Sequence, residues 1–140
     1  MRVSAKGENG VRAMTILALE FRAGPVPLRE IAAREGLSYQ FLEQIFLLLR
    51  RAGLITSVRG AKGGYALARP PEEIKVGEVL RVLDGPIAPV ECVGEGNSDA
   101  CGRIAACLTR GIWERLRDRM SEVLDEITLA DVINTPADST

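Results

Sequence analysis

Three cysteines are the residues of this sequence with the most distinctive chemistry. Cys92, Cys101 and Cys107 are separated by 8 and then 5 residues, and the chain contains no histidine. Cysteine thiolates are the usual protein ligands of iron–sulfur clusters, whereas a zinc site would ordinarily need a fourth cysteine or a histidine. An odd, clustered set argues against a disulfide framework. The pattern favours redox or metal chemistry, with three buried structural cysteines as the alternative.

A second chemical signal is the loop Arg59-Gly60-Ala61-Lys62-Gly63-Gly64, which places two cations among three glycines. Glycine lets a backbone approach another surface closely, and cations suit phosphate or a narrow minor groove. The loop is not a nucleotide-binding P-loop, because its lysine precedes the glycine pair and no Ser or Thr follows in register. It therefore predicts contact with the outside of a nucleic acid duplex.

The third signal is the outer face of the predicted helix 38–51, which offers Tyr39, Gln40, Glu43, Gln44 and Arg50. Such side chains can read base edges in the major groove, and a solvated helix face is the alternative. Phosphates repel the Glu43 carboxylate unless it accepts from a cytosine amino group, which suits a discriminating role. Contacts to phosphates position a protein on the duplex but do not select a base sequence. The candidates for such contacts are Arg2, Lys6, Arg50, Arg51 and Lys62.

The elements that carry these residues form a predicted helix-turn-helix followed by a hairpin. Apolar spacing predicts helices at 9–22, 28–35 and from Ser38 to about residue 51, with a turn at 36–38. Residues 54–58 and 65–67 read as strands on either side of the cationic loop. A plain helical hairpin would not need these strands. The order predicts a mainly α fold with a small β-hairpin wing, a winged helix-turn-helix.

The second half of the chain predicts a helix at 76–84, a loop over 86–100, a helix near 101–109 and a long helix over 112–126. In the long helix, apolar residues recur at spacings of 3, 4, 3 and 4, as in a two-heptad coiled-coil seam; they are Trp113, Leu116, Met120, Val123 and Ile127. This favours a homodimer over a helix packed on its own domain. Thr128 and Asp131 form a possible capping box for a last helix, 129–133.

Charge divides the chain into two parts. Residues 1–69 contain 11 Lys+Arg and 5 Asp+Glu, a balance of +6, and residues 70–140 contain 7 and 14, a balance of −7. A basic half suits DNA. We therefore expect a DNA-binding region at 1–69, a cluster loop and dimerisation helix at 70–134, and a mobile tail at 135–140. Without a long apolar span or a signal-peptide pattern, we expect a cytoplasmic protein that does not bind a membrane.

Several of these segments together resemble the iron–sulfur cluster regulators (IscR) and their nitric-oxide-sensing NsrR-like relatives. The similar segments span nearly the whole chain; they are Met1-Arg2 with Lys6-Gly7, 23–28 (AGPVPL), 39–46 around LEQIF, 57–65 (SVRGAKGGY), 76–80 (VGEVL), 107–113 (CLTRGIW) and 127–132 (ITLADV). The resemblance implies a dimeric winged helix-turn-helix regulator with a cluster held by three cysteines beside the dimerisation helix. It also implies recognition-helix roles for Ser38, Gln40 and Glu43, and a minor-groove role for Arg59.

The sequence departs from these relatives at the cluster. The first cysteine interval is longer, and Arg110 stands where the cluster-assembly regulators have a histidine after the third cysteine. Glu8 is the candidate fourth ligand, because nitric-oxide sensors use an acidic residue at this place, contributed by the partner subunit. The alternative oxygen ligands are Glu91, Glu95, Ser98, Asp99 and water. The choice between a [2Fe–2S] and a [4Fe–4S] cluster also stays open.

The sequence thus predicts a DNA-binding repressor controlled by an iron–sulfur cluster that responds to redox state, nitric oxide or cluster status. A regulator of the same family without a cluster, controlled by a partner protein, is the second reading. A cluster-based electron carrier or enzyme is the third, but nothing supplies a substrate pocket or catalytic base, and a carrier would not need a wing. We expect no enzyme activity and no small-molecule substrate.

Overall fold

The helix-turn-helix forms from three helices whose ends carry clear start and stop signals. The computed structural model describes residues 2–90, 93–94 and 108–136. Its first helices are α1 (Ala5–Leu19), α2 (Leu28–Glu35) and α3 (Tyr39–Arg51). Gly36 ends α2 with a left-handed φ of 65°, and the Ser38 hydroxyl caps α3 by accepting from the Phe41 N–H at 3.1 Å. The turn between α2 and α3 is therefore fixed by local sequence.

A two-stranded antiparallel hairpin follows α3. Strands β1 (Ile55–Val58) and β2 (Gly64–Leu67) pair with Ile55 opposite Leu67 and Val58 opposite Gly64. Tyr65 also exchanges two backbone hydrogen bonds of 2.9 Å with Val26, in the connection between α1 and α2. Its ring meets that of Phe46 edge-on, with centroids 4.9 Å apart. The wing is thus held against both the α1–α2 connection and α3.

One hydrophobic core joins both halves of the chain. After a 3-10 turn at Pro71–Glu73 come α4 (Val76–Asp84), α5 (Arg110–Glu126) and α6 (Leu129–Asn134). Side chains from α1 to α4 and from α6 fill the core; the largest fully buried ones include Met14, Leu17, Ile31, Leu42, Ile45, Phe46, Leu49, Ile74, Val79 and Leu129. The last helix, α6, therefore packs against α1, although the two helices are far apart in sequence.

The carboxyl end of α5 is fixed to the start of α4. The Val76 N–H donates to the Ile127 carbonyl and the Leu129 N–H to the Ile74 carbonyl, each at 2.9 Å. The Arg81 guanidinium donates two parallel hydrogen bonds, of 2.7 and 2.9 Å, to the Asp125 carboxylate. Gly77 allows this approach, because a Cβ there would collide with the Asp125 carboxylate. Two kinds of contact thus fix the position at which α5 leaves the core.

The rest of α5 contrasts with the other helices. None of its 17 residues is buried within the single chain. Leu116 and Val123 of the predicted seam are exposed, while Trp113, Met120 and Ile127 are half-buried. Ile112, which the seam did not include, is also exposed. The apolar stripe therefore lies partly against its own chain and partly on the surface.

The predicted fold class is confirmed: the chain is mainly helical with a small hairpin wing. The bounds of α2, α4 and the capping box at Thr128 and Asp131 agree with prediction. Helix α1 begins at Ala5 and ends at Leu19, earlier at both ends than the predicted 9–22. Of the predicted helix near 101–109, only residues 108 and 109 are described, and they form a turn; the tail after residue 136 lies outside the described residues. No helix in the described ranges is long and apolar enough to span a membrane.

The Arg81–Asp125 contact predicts a pH dependence of stability. The hydrogen bonds from Arg81 hold the pKa of the Asp125 carboxyl below its ordinary value. A carboxyl with a lowered pKa in the folded state stabilises the fold above its unfolded pKa, near 4, and that contribution disappears as the pH falls through the folded pKa. Asp125→Asn should therefore lower the free energy of unfolding at pH 7, by about 0.5–1 kcal/mol for such a half-exposed pair.

The difference between Asp125→Asn and the unchanged protein should shrink as the pH falls below about 4. Urea unfolding at fixed protein concentration, between pH 7 and pH 3, measures it. Glu122→Gln is the control, because Glu122 is exposed on the same helix and makes no ion pair in the described part of the chain. A difference between Asp125→Asn and wild type that is constant with pH would contradict this account of the ion pair.

Candidate nucleic-acid interface

Helix α3 presents a continuous polar face opposite its buried face. Leu42, Ile45, Phe46 and Leu49 are inaccessible to solvent, so the helix cannot rotate without exposing them. Its exposed residues include Ser38 at the cap, Tyr39, Gln40, Glu43, Gln44 and Arg50. The structure thus brings the predicted recognition residues of this helix onto one accessible surface.

The Ser38 hydroxyl has a structural role in addition to any contact with DNA. Its oxygen accepts from the Phe41 N–H, which satisfies one of the free amides at the start of α3. The hydroxyl proton is not used by this bond and can still be donated. A change at Ser38 therefore alters the start of the recognition helix as well as the surface.

A cleft of about 410 Å³ separates α3 from the wing. Its walls come from α3 and from one residue of β2; they are Gln40, Glu43, Gln44, Phe46, Leu47, Arg50 and Tyr65. Neither Leu47 nor Tyr65 carries a sequence signal for a functional role of its own. The signal for Tyr65 was its place at the start of the second strand, but its packing on Phe46 depends on a contact between residues far apart in sequence.

The wing places its two cations at the exposed end of the hairpin. Arg59 and Lys62 are both exposed, and neither has an ion-pair partner among the residues described. The turn is tight: the Gly63 N–H donates to the Gly60 carbonyl at 3.0 Å, and Gly60 has a φ of 114°, which side chains rarely adopt. The glycines thus shape a narrow loop in which the cations are free to meet an anion.

The remaining predicted phosphate contacts are also accessible. Arg2 and Arg50 are exposed and Lys6 is half-buried, and none makes an ion pair within the described ranges. By contrast, Arg34 on α2 is held by Glu30 at 2.7 Å and Glu20 at 3.3 Å. These carboxylates raise the pKa of the Arg34 guanidinium, and the hydrogen bond that Arg34 donates to Glu30 is the main cause. The predicted phosphate contacts Arg2, Lys6 and Arg50 thus keep their charge available, whereas Arg34 is neutralised within the chain.

Glu8 lies in the first turn of α1, with 63% of its side chain exposed. Its carboxylate is 3.7 Å from the guanidinium of Arg12, which also lies 4.0 Å from Glu35. Such an exposed carboxylate is accessible to a ligand from outside the chain. Three thiolates with one carboxylate form a donor set that suits an iron–sulfur cluster, so the chemistry of the predicted ligands and the exposure of Glu8 fit such a group.

The three cysteines lie outside the described residues, as do Glu91, Glu95, Ser98 and Asp99. Within the described ranges, no three acidic side chains converge as a metal site would require. Arg110, which replaces the histidine of the cluster-assembly regulators, contacts Glu114 in the first turn of α5.

Comparison with known proteins agrees with this geometry. Residues 3–135 match Rrf2, a family described as iron-dependent transcriptional regulators. The chain belongs to the Rrf2 family. Its relatives are transcriptional regulators and not enzymes, as the sequence predicts. The HTH-type transcriptional regulator IscR of Escherichia coli (strain SE11) is 42% identical over 134 residues, which cover 96% of this chain and 81% of that protein.

Two solved structures of similar proteins share the fold. The structure of CymR (YrzC), the global cysteine regulator of B. subtilis, has a TM-score of 0.79 and 41% identity over 95% of this chain and 96% of its own. T. potens IscR has a TM-score of 0.77 and 47% identity over 95% of this chain and 86% of its own. The chain is thus an Rrf2-family transcriptional regulator with a winged helix-turn-helix for DNA binding.

Proposed function

We propose that this protein is a cytoplasmic repressor that binds its operator as a homodimer and changes its DNA affinity with the state of an iron–sulfur cluster. The observation that carries the DNA-binding part is the polar outer face of α3 beside a wing with two unpaired cations. An ion pair within the chain would have neutralised Arg59 and Lys62; neither has one in the described part of the chain. Double-stranded DNA supplies the missing negative charge.

In this proposal, α3 enters the major groove and the wing reaches the adjacent minor groove. Gln40 can read a base edge, and Glu43 accepts from a cytosine amino group, which makes it a discriminator against other bases. Ser38 and Tyr39 lie at the amino end of α3, where recognition helices meet base edges. Arg2, Lys6, Arg50 and Lys62 contact phosphates and fix the register.

The wing gives the first test of this proposal. Arg59→Ala should weaken specific operator binding by about 1–3 kcal/mol, because a guanidinium in a narrow minor groove reads DNA shape. Lys62→Ala should weaken binding to all duplexes alike and flatten the salt dependence, because it removes a phosphate contact. Titrations of operator and scrambled duplex at several salt concentrations measure both effects.

Lys75→Ala is the charge-matched control for the wing variants, because this exposed lysine lies outside the predicted DNA-binding region. It should leave the affinity for both duplexes almost unchanged. Wing variants that bind the operator as tightly as wild type would show that the hairpin is not part of the interface.

The homodimer is proposed from the exposed apolar stripe of α5. Ile112, Leu116 and Val123 are 58%, 43% and 53% exposed in the single chain. Because no residue of α5 is buried, packing within the single chain contributes little to the stability of this helix. A second copy of α5 would cover this stripe. Two copies would also present two α3 helices, which matches the two half-sites that helix-turn-helix dimers bind.

Leu116→Asp together with Val123→Asp tests the dimer without disturbing the core, since both side chains are exposed in the single chain. Burying two unpaired carboxylates per chain in an interface costs several kcal/mol, so sedimentation should show a monomer. Leu19→Asp changes an equally exposed leucine on α1 and should sediment as wild type does. A fully dimeric double variant would refute the assignment of α5 to the interface.

The cluster is proposed on the donor set and on the description of the family as iron-dependent. Cys92, Cys101 and Cys107 would be the thiolate ligands, and Glu8 of the partner subunit the oxygen ligand. When bound, such a group supplies a centre that is sensitive to redox state and nitric oxide, of [2Fe–2S] or [4Fe–4S] type. A weak carboxylate ligand leaves one iron readily exchanged, which suits a sensor more than an electron carrier.

Contacts within the chain would connect this site to the DNA-binding surface. Glu8 lies in α1, and α1 packs on α4: the amino end of α1 is bound to Asp84 through the Ser4 backbone N–H at 3.1 Å. At its other end α4 is bonded to the end of α5. A cluster held by the cysteines after α4 and by Glu8 of the partner subunit would therefore link α1 of one subunit to α4 and the dimer helix of the other. This supports control of the spacing between the two α3 helices.

Replacement of all three cysteines by alanine tests the cluster and its control of DNA together. The anaerobically purified protein should be brown, with charge-transfer bands in its visible spectrum, and the triple variant colourless. The two should differ in operator affinity by a few kcal/mol when measured at one salt concentration. Equal affinity and equal sequence preference would refute control by a cluster and leave DNA binding intact.

Glu8→Ala should weaken retention of the cluster without unfolding the chain, because the side chain is exposed. Glu35→Ala is the matched control, since Glu35 is the other carboxylate beside Arg12. Faster bleaching of the Glu8 variant alone supports Glu8 as a ligand, whereas equal bleaching of both points to an effect through Arg12.

A second function is favoured by the likeness to CymR, which is a cysteine regulator. This alternative is a regulator of the same fold that holds no cluster and responds to a partner protein. A colourless anaerobic preparation that still binds its operator selectively would favour it.

A further inference from the structure

Leu47 is an apolar side chain in the middle of the polar surface of α3. It is 48% exposed, whereas Leu42, Ile45 and Leu49 of the same helix are fully buried. A single exposed leucine is ordinary on a protein surface. Its position, between groups that can read DNA, is what requires an explanation.

Residues at spacings of three, four and seven share one face of a helix. Gln40, Glu43, Gln44 and Leu47 follow that spacing, and all four line the cleft between α3 and the wing. Leu47 lies about 10 Å beyond Gln40 along the helix axis. A recognition helix lying along the major groove contacts bases over a span of this length, so Leu47 continues the row of recognition residues.

The major groove offers one apolar group to a hydrocarbon side chain, the C5 methyl of thymine. Beside any other base, the leucine would cover a polar edge without replacing the hydrogen bonds that the edge makes to water. We infer that Leu47 contacts a thymine methyl in each operator half-site, beside the bases that Glu43 and Gln44 approach. This rests on the proposed function, in which α3 enters the major groove.

Leu47 is thereby a specificity-determining residue of a different kind from its neighbours. Glu43 and Gln44 distinguish bases by hydrogen bonding, whereas Leu47 selects thymine by hydrophobic contact and by the cost of covering a polar edge. Thymine should therefore be enriched at one position of each half-site, and that preference should be lost when the leucine side chain is shortened.

The test starts from selection of binding sites in a random pool of duplex DNA by the full chain. Each thymine of the enriched half-site is then replaced by deoxyuridine, which pairs identically but lacks the methyl group. At one position, loss of the methyl should weaken wild-type binding about fourfold for one half-site, as expected for one buried methyl group. Leu47→Ala should bind the thymine duplex less tightly and show no further loss with uracil at that position.

Leu19→Ala is the matched control, because Leu19 is exposed on α1 and outside the row on α3; it should keep the full preference for thymine. If wild type enriches a sequence but binds every uracil duplex as tightly as thymine, or if Leu47→Ala keeps the wild-type preference, the inference is overturned while DNA binding stands. If wild type enriches no sequence at all, the proposed function fails, and the inference with it.

Discussion

The burial of one face of α3 is the constraint on which the rest of this structure depends. Leu42, Ile45, Phe46 and Leu49 are fully enclosed, and burial of such side chains is the main favourable term in folding. They fix the rotation of α3, and with it the set of side chains that faces outward. Phe46 also contacts Tyr65, so the same burial sets the position of the wing. The polar outer face of α3 and the wing are therefore positioned by apolar contacts on the buried side of α3.

Helix α5 differs from α3, since none of its residues is buried and polar contacts fix its carboxyl end. Arg81 and Asp125, with the backbone bonds between residues 74–76 and 127–129, determine where the helix meets the core. Farther along the helix, Arg117 donates a hydrogen bond to the Val93 carbonyl at 3.3 Å, and Trp113 and Met120 are half-buried. Part of the apolar stripe of α5 stays exposed, so this helix is available to contact a second molecule.

Much of this fold could be predicted from sequence because its signals are local. Ser38, Gly36 and the Thr128–Asp131 pair mark helix ends through bonds within a few residues. The start of α1 was missed because Gly7 and Gly10 are poor helix formers; both are buried where α1 packs closely on Asp84 and Leu83 of α4. The cleft residues Leu47 and Tyr65 were missed for a related reason, since their significance depends on packing between segments distant in sequence.

The return of α6 to the core has an evolutionary consequence. Leu129 is fully buried among residues of the first half of the chain, so α6 packs into the same core as α1 to α4. The segment that connects α4 to α6 therefore has both of its ends anchored in one core. The entropic cost of closing a loop rises only slowly with loop length, so this segment can change in length while the helix-turn-helix keeps its shape. Substitutions and insertions in this segment can therefore accumulate over evolution without disturbing the DNA-binding surface.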